Sequence, residues 1–109
     1  MQFLSFRETA RFTRRIVELL DDESYSKLQL YLVEFPDAGD LIKGGGGIRK
    51  LRYVLPGRGK SGGARVIYYW AVKNDMILML DIYAKNEQAD LTAEQVNQMR
   101  EEVKGLELE

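Results

Sequence analysis

Histidine and cysteine are both absent from this sequence. Imidazole acid–base catalysis and the usual zinc constellations are therefore excluded, and so are a disulfide framework and any thiolate metal site. A reducing compartment suits such a chain best. Long apolar runs are missing as well: no stretch approaches membrane-spanning length. The first residues, Met1 to Glu8, lack the basic region followed by an apolar core that marks a secretory leader. The expectation is a soluble protein of cytoplasmic type. The third absence is local. Between Leu41 and Asn74 there is no Asp or Glu, whereas eight basic residues fall there (Lys43, Arg49, Lys50, Arg52, Arg58, Lys60, Arg65 and Lys73). After Asn86 acids dominate, with Glu87, Asp90, Glu94, Glu101, Glu102, Glu107 and Glu109 against Arg100 and Lys104. The net charge of -1 thus conceals a basic middle and an acidic tail, and it argues against a general nucleic-acid binder, which carries a basic excess overall.

With 109 residues, 45% of them hydrophobic, the chain has material for one compact core and no length for a second, so residues 1–109 are read as one domain. Phe3 to Phe6 reads as a short strand. Phe12, Ile16, Leu19 and Leu20 then recur at helical spacing, and after Asp21 and Asp22, which offer an N-cap, Tyr25, Leu28, Leu32 and Phe35 share the face of a second helix that Pro36 stops. Gly44 to Gly47 is a loop. Ile48 to Leu55, Arg65 to Val72 and Met76 to Ala84 are β-branched and aromatic runs that read as strands, the last two joined at Lys73-Asn74-Asp75. Thr92 and Gln95 form a capping box for a final helix that turns Val96, Met99 and Val103 inward and ends at Gly105. This order predicts an α+β domain, a small antiparallel sheet with two N-terminal helices and one C-terminal helix, the helices gathered on one face.

Gly59-Lys60-Ser61 imitates the end of a phosphate-binding loop. A P-loop needs glycine five positions before its second glycine, where this chain has Val54, and it must lead into a helix N-terminus, whereas Arg65 to Trp70 reads as strand. The nucleoside-triphosphate reading is rejected. The cations Arg58, Lys60 and Arg65 around this glycine-rich turn still suit an anion.

Alternation along the strands sorts their side chains. It places Lys50 and Arg52 on one face of the first long strand, Arg65, Ile67 and Tyr69 on one face of the second, and Tyr83 and Lys85 on one face of the third. The wholly apolar set Met76, Leu78, Leu80, Ile82 and Ala84 is expected to meet the helices, which would leave Lys50, Arg52, Arg65, Tyr83 and Lys85 together on the open face.

Four segments in register carry a resemblance: Phe35-Pro36-Asp37-Ala38-Gly39-Asp40-Leu41-Ile42-Lys43-Gly44; Gly47-Ile48-Arg49-Lys50-Leu51-Arg52; Gly57-Arg58-Gly59-Lys60-Ser61-Gly62-Gly63-Ala64-Arg65-Val66-Ile67-Tyr68-Tyr69; and Ile82-Tyr83-Ala84-Lys85-Asn86-Glu87. Over about Phe35 to Leu91 the chain resembles the HigB branch of the RelE-like toxins of bacterial type II toxin-antitoxin systems. The resemblance implies an mRNA endoribonuclease that works in the ribosome without metal or other cofactor. In its chemistry a ribose 2′-OH attacks the neighbouring phosphate and a 5′-hydroxyl is released. It also implies a HigA-like helix-turn-helix antitoxin as partner, with DNA reached only through that antitoxin. Arg65 matches the central catalytic arginine, Lys50 and Arg52 match basic strand residues of the site, and Tyr83 and Lys85 stand where the last strand delivers an acid–base or stacking group. Arg49, Arg58, Lys60 and Tyr69 are the candidates for RNA contact.

Each group has a plainer reading beside the functional one. Strand-borne cations are commonly a solvated face, Arg58 and Lys60 serve as well to keep a hairpin tip soluble, and Tyr68 and Trp70 read as core. Asp81 is expected to orient Arg65 or Lys50 through a salt bridge, and Glu87 is a weaker candidate for proton transfer. Two other function classes compete: a ParE-like toxin acting on DNA gyrase, and an RNA-binding module without catalysis. Arg49-Lys50-Leu51-Arg52 and the Gly-x-Arg stretch favour the nuclease.

Overall fold

The computed structural model describes residues 4–54 and 63–106. The elements run β1 (Ser5–Glu8), α1 (Ala10–Leu19), α2 (Asp22–Glu34), β2 (Asp40–Leu41), β3 (Ile48–Val54), β4 (Gly63–Ala71), β5 (Met76–Ala84) and α3 (Ala93–Gly105). They build one five-stranded sheet in the order β1-β5-β4-β3-β2. Three helices on a mixed sheet make this the expected α+β domain. The pairs β2–β3, β3–β4 and β4–β5 are antiparallel, while β1 lies parallel to β5, with Ser5 opposite Met76 and Glu8 opposite Met79. Among the described residues no helix is long and apolar enough to cross a membrane.

The helix caps follow the local sequence. Thr9 accepts the Phe12 N–H and Asp21 accepts the Ser24 N–H, so each starts a helix by satisfying a donor that the first turn leaves free. At α3 the box is reciprocal: the Gln95 N–H reaches Thr92 Oγ1 at 3.1 Å and the Thr92 N–H reaches Gln95 Oε1 at 2.9 Å. Replacing Thr92 with Ala removes one arm of this box. A loss of about 1 kcal/mol is expected, with a fall in Tm of roughly 4–8 °C in a melting curve.

Both faces of the sheet are covered, which corrects the expectation that all three helices share one. Phe12, Ile16 and Leu20 from α1 and its end, with Leu28 and Leu32 from α2, pack on Leu51, Val66, Tyr68, Ile77, Met79 and Ile82. On the opposite face Met99 of α3, with Val103 against it, packs on Ile48, Ile67, Leu78, Leu80 and Tyr83. Every residue of β5 is buried, because this strand is central and has a helix layer on each side.

Alternation fails within β5 for a definite reason. Ile67 pairs with Asp81 and Tyr68 with Met79, so Leu80 is an extra residue, a β-bulge. The side chains facing α1 and α2 are Ile77 and Met79 before the bulge and Ile82 after it. The expected apolar set of even-numbered residues is therefore divided between the two cores. The bulge also brings Tyr83 to the face that carries Met76, Leu78 and Leu80.

Candidate anion site on the sheet

The register of the three long strands places three expected residues in one row across the sheet: Arg52 pairs with Arg65, and Arg65 with Tyr83. Lys50 is two residues from Arg52 on the same face of β3, one step nearer α3. The α3 layer covers this face around Ile48, Ile67 and Leu80, so the row lies at the margin of the helix and not on an open face. Arg52 is exposed, Lys50 and Arg65 are half-buried and Tyr83 is fully buried. Among the described residues neither Arg52 nor Arg65 has a carboxylate within ion-pair distance. Among the described residues the Arg65 guanidinium donates only to the Ala64 carbonyl, at 3.2 Å.

Lys50 is engaged by an acid 40 residues away. Its Nζ lies 3.1 Å from Asp90 Oδ1, and that same oxygen accepts the Leu91 N–H at 2.8 Å. These two bonds, with the field of Arg65, hold the Asp90 carboxyl below the ordinary range, the Leu91 N–H contributing most. The Tyr83 phenol is pushed upward, first by burial and then by the negative charge of Asp90, with Arg65 opposing. It is a neutral hydrogen-bond donor, and its hydroxyl has no partner among the described residues. Beside the row opens a cleft of about 640 Å³. Its rim carries Lys43, Lys50, Arg52 and Arg100 together with Asp40 and Asp90, a net positive set, and Leu41, Ile42, Leu91 and Val96 give it apolar wall. An excess of cations beside an apolar wall suits a ligand that carries phosphate together with an apolar part.

A family model described as the RelE toxin of the RelE/RelB toxin-antitoxin system matches residues 9–108 of this chain. The chain belongs to the RelE toxin family. Two solved structures resemble the fold of this RelE-family toxin. The intact E. coli RelBE toxin-antitoxin complex aligns at 17% identity and a TM-score of 0.53, covering 72% of this chain and 93% of that one. An arginine-to-alanine double mutant of E. coli toxin RelE in the free state aligns at 15% identity and a TM-score of 0.60, covering 94% and 97%. Similarity at this level establishes the common architecture.

The remaining candidates of this RelE-family chain lie elsewhere. Lys85 is exposed one residue beyond β5, its N–H held by the Gly63 carbonyl at 2.9 Å. Arg49 alternates to the α1/α2 side, where its guanidinium donates to the carbonyls of Asp37 at 3.2 Å and Gly39 at 2.8 Å. That is a loop-fastening role, away from the row. Tyr69 shares the sheet face of Arg65 but sits opposite Ile48 at the other end of the strand. Its ring packs so closely on Gly47 (φ +106°) that a Cβ there would lie 2.9 Å from Tyr69 Cε1. Arg58 and Lys60 fall outside the described residues.

Asp81 corrects a further expectation, since it serves neither Arg65 nor Lys50. Its carboxylate meets Arg11 Nε at 3.6 Å and Arg15 Nε at 3.5 Å, both from α1. Burial pushes the Asp81 carboxyl upward, and the two arginines oppose that shift. The cause is the edge of β5. Because β1 ends opposite Met79, the carbonyls of Leu80 and Ile82 are left unpaired by any strand on that side. Thr9 Oγ1 (2.7 Å) and Arg11 (3.0 Å) take Leu80, and Arg15 (2.6 Å) takes Ile82. Arg11 also binds Glu102 of α3 at 2.8 Å, which ties the two helix layers around this edge. Glu87 is 3.9 Å from Arg15 and lies with this network.

Sequence reading missed Arg11, Arg15, Asp90 and Arg100. The last donates to the Gly44 carbonyl at 2.8 Å and so fastens the glycine loop to α3 at the mouth of the cleft. Asp90 stands two residues before the capping Thr92 in an acid-rich tail, and nothing local distinguishes it from the acids around it.

Proposed function

We propose that this RelE-family toxin belongs to the HigB branch and is an mRNA endoribonuclease acting on messages in the ribosome. The observation that carries the reading is the row Arg52–Arg65–Tyr83 with Lys50 beside it at the mouth of a cationic cleft. Attack of a ribose 2′-OH on the adjacent phosphate raises the negative charge on the phosphoryl oxygens. It forms a 2′,3′-cyclic phosphate as the bond to the 5′ oxygen breaks, and the proton lost by the 2′-OH is balanced by the one the departing 5′ oxygen takes up. Arg65 and Arg52, which have no carboxylate within ion-pair distance among the described residues, stabilise that added charge, and each well-placed donor is worth about 10²–10³ in rate. Lys50 binds a non-bridging oxygen. Tyr83, neutral at physiological pH, stands buried behind Arg65 as a hydrogen-bond donor and does not withdraw a proton. Lys85, just past β5, supplies a further cation towards the RNA, and Arg58 and Lys60 contact phosphate from the glycine-rich turn.

Its partner in this reading is a HigA-like helix-turn-helix antitoxin encoded beside it, through which alone the toxin reaches DNA. Support comes from the fold it shares with the toxin of a toxin-antitoxin complex and from the acid-free stretch from Leu41 to Asn74, which suits an acidic segment of a partner. Incubation of the purified protein with translating ribosomes, followed by mapping of 5′ ends, tests the activity. New 5′-hydroxyl message ends are expected. Their absence, with growth arrest traced to gyrase, would replace this reading with the ParE-like one, and binding without cut ends would leave an RNA-binding module.

A further inference from the structure

We propose that Asp90 is a built-in competitor for the phosphate seat: its carboxylate occupies the place on Lys50 that an RNA phosphodiester takes, so RNA engages the site by displacing it. The inference deepens the nuclease reading and rests on it for the identity of the ligand.

Three observations carry it. The first is the coordination of Asp90 Oδ1, which accepts from Lys50 Nζ at 3.1 Å and from the Leu91 N–H at 2.8 Å, within the field of Arg65. An ammonium, a backbone N–H and a nearby guanidinium are the donors that a phosphate oxygen uses. The carboxylate is delivered by a braced loop: Gln88 Nε2 donates to the Asp90 carbonyl at 2.8 Å and to Gln95 Oε1 at 2.7 Å, and Gln95 belongs to the capping box of α3. The second is Tyr83. Its hydroxyl is buried without a partner among the described residues, although both Asp90 and Arg65 act on it. Buried hydroxyls are nearly always paired, so an idle one within the fields of Asp90 and Arg65 is a donor left in reserve behind the seat. The third is the weakness of the lock. The Asp90 side chain is 68% exposed against 30% for Lys50, and an ion pair so open to solvent adds little stability. A phosphodiester that also reaches Arg52 and Arg65 makes more charged contacts than it displaces. In the free toxin the arrangement screens the site from stray anions, and it sets a threshold that only a ligand with several contacts passes.

The test is fluorescence anisotropy with a labelled single-stranded RNA hexamer carrying 2′-O-methyl groups at every ribose, which binds without being cut. Asp90→Asn retains the shape of the residue and an acceptor for the Leu91 N–H, and removes the charge. The variant is expected to bind about fivefold more tightly than the wild type at low salt, the size of one exposed ion pair plus the lost repulsion. In a Lys50→Met background the same substitution is expected to gain far less, since the seat it clears is gone. Equal or weaker binding by Asp90→Asn overturns the proposal and makes Asp90 a residue that positions Lys50. A gain undiminished in the Lys50→Met background also overturns it, because the effect would then be one of general charge. Cleavage is not read in this experiment, so failure of the nuclease assignment, seen as an absence of new message ends, is distinguished from failure of the lock.

Discussion

Arg65→Ala is expected to reduce message cleavage by about 10²–10³ while leaving the melting curve nearly unchanged. Arg65 is half-buried, belongs to neither hydrophobic cluster, and among the described residues its side chain makes one hydrogen bond, to the carbonyl of the neighbouring Ala64. Its removal therefore opens no cavity and orphans no buried group, and it falls outside the mechanisms by which single substitutions destabilise strongly. Its charge, by contrast, stands between Arg52 and Tyr83 in the register, beside the cleft in which the proposed reading seats a phosphate. Toxicity on expression should fall in parallel. A variant that melts like the wild type and still cleaves at the wild-type rate would show that the chemistry lies elsewhere.

The second large effect runs the other way. Tyr68→Phe is expected to destabilise the fold by about 2 kcal/mol, roughly 10 °C in Tm, without loss of cleavage at temperatures where the protein is folded. Tyr68 is fully buried on the α1/α2 side of β4, and its hydroxyl accepts the Gly39 N–H at 2.9 Å and donates to the Pro36 carbonyl at 2.8 Å. The segment from Pro36 to Gly39 is thus pinned to the sheet by one oxygen. Phenylalanine fills the same volume and leaves two backbone groups without their partner, at a cost set by desolvation and not by packing. Gly39 lies close against the sheet, for a Cβ on it would be 2.9 Å from the Tyr68 ring and 3.1 Å from the Lys50 backbone. Arg65→Ala and Tyr68→Phe, three residues apart on opposite faces of one strand, should therefore separate activity from stability. Calorimetry and cleavage measured on the same preparations check both.

Secondary structure was legible in the sequence wherever its cause is local. The 3.6-residue spacing of Phe12, Ile16 and Leu20, the box at Thr92 and Gln95 and the β-branched runs of β3 and β4 each act over a few residues, and the elements form where those signals stand. Membership of the row was legible for a related reason. Lys50 and Arg52 must share a face of β3 whatever else the chain does, and a hairpin between β4 and β5 brings Arg65 near Tyr83. Only the tertiary structure decided what surrounds these residues. One extra residue at Leu80 reverses the alternation along β5, and a bulge is a response to pairing on both sides that no pattern within the strand announces. The parallel pairing of β1 stops at Met79 and leaves edge carbonyls that draw in Arg11 and Arg15, which is why Asp81 meets these two cations and not Arg65 or Lys50. The same holds for α3 and Asp90. An amphipathic helix records that it has an apolar face but not which side of the sheet will receive it, and the meeting of Asp90 with Lys50 follows from that placement across 40 residues of chain.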